Sequence, residues 1–133
     1  MSFDEQAAVW DTNERAIRAK RIAEQIDFVI ADRKYRHALD FGAGTGLISF
    51  SLTNLPAKIT LLDSSSEMLR IASEKPIAAT IDLEIMCADI MEKDCLTDKY
   101  DLIYSSMVFH HVRDIEAAMV TLSSLLENAG KMI

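Results

Sequence analysis

Two cysteines, two prolines and four glycines are all that this chain of 133 residues holds of the residue types that most constrain backbone shape and redox chemistry. Cys87 and Cys95 lie near each other without a CxxC or Cys/His spacing, so neither a disulfide framework nor a zinc site is indicated and both read as reduced thiols. The scarcity of proline and glycine argues against a disordered or linker-like composition. No apolar run reaches the roughly 18 residues that cross a bilayer. The opening "MSFDEQAAVWD" is acidic and lacks a basic start followed by an apolar stretch, so no secretory signal is expected and the cytoplasm is the default location. Basic charge is in deficit, with 14 Lys and Arg against 21 Asp and Glu. Residues 1–36 hold seven of each sign, which leaves seven basic and fourteen acidic groups beyond them. That balance lacks the basic stripe that nucleic-acid phosphates require, and no nucleic-acid partner is expected.

What is present is material for one globular domain, 50% hydrophobic and 26% charged. No repeat or low-complexity tract marks a boundary within residues 1–133. Ser2 with Glu5 and Asp11 with Glu14 have capping-box spacing, and Ile22, Ile26, Val29 and Ile30 recur at helical intervals, which predicts two helices over residues 1–36, the second ending near Asp32. "HALDF" then reads as a buried strand, and Leu47 to Leu55 as a helix stopped by Pro56. "KITLLD" predicts a strand, "SSSEMLRIASEK" a helix boxed by Ser64 and Glu67, and "LEIMCAD" and "YDLIYSS" two further strands. "DIEAAMVTLSSLLEN" predicts a helix with Ile115, Met119, Leu122, Leu125 and Leu126 on one side, stopped by Gly130, and "KMI" begins another strand. Strands alternating with helices imply a parallel sheet covered on both faces, with ligands at the carboxyl ends of the strands.

Three of the four glycines, Gly42, Gly44 and Gly46, fall in the turn after the first strand. There, missing side chains let backbone N–H groups face a ligand at a helix start. The spacing is GxGxG; a dinucleotide fingerprint would place its third small residue where Leu47 stands. Asp40, just before the glycines, disfavours a phosphate and favours a ligand with positive charge.

"LDFGAGTG" resembles the first motif of the class I S-adenosylmethionine-dependent methyltransferases, acidic-x-Gly-x-Gly-x-Gly. In order along the chain, "LLDSSSEML" resembles the second-strand motif of that family, "CADI" the third and "YDLIYSSMVFHHV" the fourth. "LLENAGKMI" is similar to its passage from helix to fifth strand, and "FDEQAAVWD" to the leading helix of its small-molecule branch. The resemblance implies an α/β, Rossmann-like, doubly wound parallel sheet with helices on both faces, preceded by a helical cap over residues 1–36. It further implies S-adenosyl-L-methionine as cofactor, S-adenosyl-L-homocysteine as product, no metal, and methyl transfer to a small-molecule acceptor.

The same resemblance implies a role for particular residues. Asp63 would take the ribose hydroxyls, which suits a carboxylate that accepts two hydrogen bonds. Asp89 would take the adenine amino group and the Ile90 backbone would complete the base contact. Ser64 and Met68 would border the adenine or ribose, and Asp40 with the Gly42, Ala43 and Gly44 backbone would hold the methionine part. The carbonyl near Ser105 would accept from its ammonium group, and Trp10 would cover the cofactor or seat the leading helix. Structural readings stay open beside these: a tight turn for the glycines, a helix cap for Asp63, a turn for Asp89, and core filling for the methionines.

His110 and His111 are open as acid–base candidates or as lining of the substrate pocket. Methyl transfer depends mainly on placing the reacting atoms in line, so few catalytic side chains are required. A non-catalytic cofactor-binding or partner subunit of the same fold is the alternative, and a nicotinamide-dinucleotide domain a remoter one. The resembled sheet has seven strands; the sequence supplies four and the start of a fifth at Lys131, so residues 37–133 are expected to form an incomplete core. Its exposed edge would favour self-association.

Overall fold

A computed structural model describes residues 12–89, 98–105 and 115–133. The first helix, α1 (Asn13–Val29), is capped by Thr12, whose hydroxyl accepts the Arg15 N–H at 3.2 Å. The cap therefore lies one residue after the expected Asp11, and the leading helix expected before it lies outside the described residues. A 3₁₀ turn (Ile30–Asp32) closes α1 where the sequence places its end.

Five strands follow: β1 (His37–Phe41), β2 (Lys58–Asp63), β3 (Leu83–Cys87), β4 (Tyr100–Ser105) and β5 (Leu126–Met132). All pair in parallel, in the order β3-β2-β1-β4-β5. The order reverses at β1, which is where α/β sheets open a crevice at the carboxyl ends of their strands. Helices α2 (Ser66–Glu74) and α3 (Ile115–Leu125) lie between strands. The parallel α/β architecture is the one expected.

Alternation along the strands builds two cores. Ala38, Ile59, Leu61, Leu102 and Tyr104 pack on one face with Ala23 and Ile26 of α1 and with Leu69 and Ala72 of α2. Leu39, Phe41, Leu62 and Ile103 point the other way and pack with Leu122 of α3. Each such aliphatic side chain contributes about 1.5–3 kcal/mol on burial, so both layers clamp the sheet.

Four local expectations are corrected. The helix expected from Leu47 to Leu55 is a single turn: Phe50 N–H bonds the Gly46 carbonyl at 2.9 Å, and only Ser49–Ser51 is helical, as 3₁₀. Ser51 turns its hydroxyl onto the Leu47 carbonyl at 2.7 Å, the local competition by which serine weakens helices. Asp27 of α1 then captures the Thr53 and Asn54 N–H groups at 2.9–3.1 Å. The cap of α2 is Ser65, accepting from Met68 N–H at 3.3 Å, and not Ser64. Finally, β5 begins at Leu126 directly after α3, so Gly130 lies inside a strand. Leu126 pairs with Tyr100 but Lys131 with Leu102, a bulge in which a Cβ on Gly130 would sit 2.9 Å from the Glu127 carbonyl. Met119, expected on the inner side of α3, is 38% exposed.

Candidate ligand-binding site

The registers Phe41↔Leu62, Phe41↔Ser105 and Asp63↔Cys87 bring the carboxyl ends of β1 to β4 to one rim of the sheet. The glycine loop leaves β1 at this rim, with φ of +70°, +57° and +80° at Gly42, Gly44 and Gly46, a region that side chains rarely occupy. Its amides turn inward, toward β2. Gly42 and Ala43 N–H both donate to the Leu62 carbonyl, at 2.8 and 3.0 Å, and Gly44 N–H donates to Asp63 Oδ2 at 2.8 Å. These three N–H groups stitch the turn to the end of β2.

Asp63 is half-buried, and its Oδ1 accepts the Ser65 N–H at 2.8 Å. Each carboxylate oxygen thus holds one donor and keeps acceptor capacity for another.

Asp40 lies below the loop, 2% exposed. Parallel pairing places it opposite Tyr104 on the same face. Ser49 closes the group: its hydroxyl donates to Asp40 Oδ2 at 2.6 Å and lies 2.6 Å from the Tyr104 hydroxyl. Burial pushes the Asp40 carboxyl up to about 7, the Ser49 hydrogen bond pulls it back, and the negative charge of Asp63 raises it further. Burial and the neighbouring Asp40 charge raise Tyr104 well above its ordinary value. Ser49 and Tyr104 escape sequence reading, since only cross-strand register and the turn after Gly46 bring them to Asp40.

Other predicted residues spread around the rim. Ser64 is exposed and its carbonyl receives the Cys87 thiol at 3.7 Å. Met68 is 2% exposed, buried in the first turn of α2. Asp89 is exposed two residues beyond β3, and the Ala88 N–H ties that end of the chain to the Asp63 carbonyl at 3.0 Å. Ser105, at the end of β4, has a buried hydroxyl with no hydrogen-bond partner among the described residues, a costly state that a polar ligand group would relieve. Trp10, Ile90, His110 and His111 lie outside the described residues.

Comparison with known proteins identifies the family and the fold. Residues 38–130 match the model of the methyltransferase domain family. The chain belongs to that family. It is 32% identical over 102 residues to an uncharacterized methyltransferase of Schizosaccharomyces pombe, covering 71% of this chain and 36% of that protein. It is 28% identical over 118 residues to a ubiquinone biosynthesis O-methyltransferase of Coxiella burnetii, covering 87% of this chain and 47% of the relative. The chain thus spans less than half the length of these two relatives. A crystal structure from Methanococcus maripaludis, described as an S-adenosyl-L-methionine-dependent methyltransferase, superposes with a TM-score of 0.84 at 25% identity, over 99% of this chain and 63% of that one. The fold is thus the Rossmann-like methyltransferase fold.

Proposed function

We propose that this methyltransferase domain binds S-adenosyl-L-methionine at the carboxyl ends of β1, β2 and β4, and serves methyl transfer to a small-molecule acceptor. The observation that carries the reading is Asp63: a carboxylate at the end of β2, fixed by Gly44 and Ser65 N–H groups, that retains acceptor capacity for paired ribose hydroxyls. Two further features fit the group. Asp40 and Asp63 are close enough for the charge of one to raise the other, which favours a cationic ligand beside them. The Ser105 hydroxyl, without a partner among the described residues, offers a polar contact on the β4 side.

In this reading Asp63 holds the ribose, Asp89 with the Ile90 backbone holds the adenine, and Ser64 and Met68 flank them. Asp40, the Gly42–Gly44 backbone and Ser105 hold the methionine part, and Trp10 covers it. When bound, the cofactor supplies an electrophilic sulfonium methyl. The chain's own residues orient that group and keep water away, and near-attack placement at about 3–3.5 Å is their main contribution to rate. His110 and His111 are candidates to line the acceptor pocket or to remove a proton there. The ubiquinone-pathway name of one relative supports a small-molecule acceptor.

Incubation with methyl-labelled S-adenosyl-L-methionine and a panel of small phenols and carboxylic acids tests the enzymatic part. Label in an acceptor, with matching S-adenosyl-L-homocysteine, is the expected result. Binding of S-adenosyl-L-homocysteine without any turnover would instead favour a non-catalytic cofactor-binding subunit.

A further inference from the structure

The amino ends of the strands, opposite the glycine loop, hold a second group of titratable side chains. His37, the first residue of β1, is 6% exposed. Its ring lies 4.5 Å from that of Tyr100, tilted by 57°. Asp101 fixes the backbone there by accepting the Arg36 and His37 N–H groups at 2.7 and 2.9 Å. His37 Nε2 is 2.8 Å from the Thr60 hydroxyl, which donates to Glu84 Oε1 at 3.1 Å. A neutral imidazole keeps one bare nitrogen lone pair. One ring nitrogen of His37, one carboxylate oxygen of Glu84 and one of Asp98 lie within 4.8 Å of one another.

We propose that His37, Glu84 and Asp98 form a binding site for a divalent first-row transition cation such as Co²⁺ or Zn²⁺. One imidazole and two carboxylates form a nitrogen–oxygen donor set without thiolate, and three protein ligands leave positions for water. The ligands come from β1, from β3 and from the residue two places before β4, so a cation here clips together three separate parts of the sheet. Ligand atoms around such an ion stand roughly 3.4 Å apart, and Asp98, at the surface, moves inward to reach that spacing. Lys58 Nζ, 3.8 Å from Glu84 Oε2, gives way. A dication outcompetes a single ammonium between two carboxylates, and the released lysine is already partly exposed. The Thr60 hydroxyl on Glu84 orients this ligand from behind.

Co²⁺ titration of the full chain, followed by thermal unfolding and visible absorption, tests the site. The expected result is a saturable rise in melting temperature with ligand-field absorption and no thiolate charge-transfer band. Asp98→Asn and Glu84→Gln, both at accessible positions, should each weaken the apparent Co²⁺ affinity by roughly tenfold or more. Cys87→Ser should leave it unchanged. The assignment is overturned by a rise that persists undiminished in both carboxamide variants, by one that disappears with Cys87→Ser, or by no rise up to millimolar Co²⁺.

Discussion

Asp40 is the residue whose chemistry is most altered by the fold. Its carboxyl ionises near 3.8 when solvated and near 7 when buried beneath the glycine loop, so the folded protein holds a proton that the unfolded chain releases across that interval. Stability from this group is fully present below about pH 4 and is lost as pH rises through about 7, to the extent of up to about 4 kcal/mol. Asp40→Asn fixes the neutral state, and urea unfolding should show its stability relative to wild type improving from pH 5 to about pH 7 and levelling off above it. Parallel pH profiles would show that Asp40 ionises normally. A ligand ammonium favours the ionised carboxylate, so affinity for S-adenosyl-L-homocysteine should rise through pH 7 in the wild type and stay level in the variant, as calorimetry at several pH values can check. An acidic residue before three glycines is visible in the sequence. Its confinement by Ser49 and Tyr104 is not, because parallel register sets which side chains share a face.

At the scale of elements, the loop from Gly42 to Leu52 is held by geometry more than by helix formation. A Cβ at Gly46 would meet the Phe50 ring at 2.6 Å while φ is +80°, so Gly46→Ala should cost about 1–3 kcal/mol in denaturant unfolding. An unchanged midpoint would mean that the turn rearranges freely. Asp27 joins α1 to the following segment through the Thr53 and Asn54 N–H groups and the Thr53 hydroxyl. Asp27→Ala should destabilise by about 1–2 kcal/mol, read from the same experiment, and a neutral result would show that water replaces the carboxylate. These two places mark the limit of sequence reading. All four strands from β1 to β4 were legible, since short β-branched and leucine-rich runs bounded by glycine, proline or aspartate permit little else. The apolar run after Gly46 looked helical because a long-range contact from Asp27, which has no local signature, decides its path. The first part of β5, Leu126 to Gly130, reads as helix end and stop because Gly130 signals a stop in either setting, whereas the strand expected from Lys131 is the paired end of β5.

For the molecule as a whole, the sheet reverses its order at β1, and at that rim the loop, Asp63, Asp40 and Ser105 meet. The rim was legible as a set of motifs spaced along the chain, each placed at a strand's carboxyl end by the parallel registers. The inward turn of the loop amides onto β2 was not, since nothing local says which way an amide points. With the loop N–H groups stitched to β2, the proposed ligand site draws its free polar groups chiefly from side chains, Asp63 first among them. The most direct measurement is calorimetric titration of the chain with S-adenosyl-L-homocysteine, repeated on Asp63→Ala and in the presence of NAD. The account predicts micromolar binding in the wild type. Asp63→Ala, still folded by circular dichroism, should bind at least about tenfold more weakly, since losing two ribose hydrogen bonds costs roughly 1.5–3 kcal/mol. NAD should not compete. No heat of binding, equal affinity in the variant, or displacement by NAD at equal concentration would contradict it.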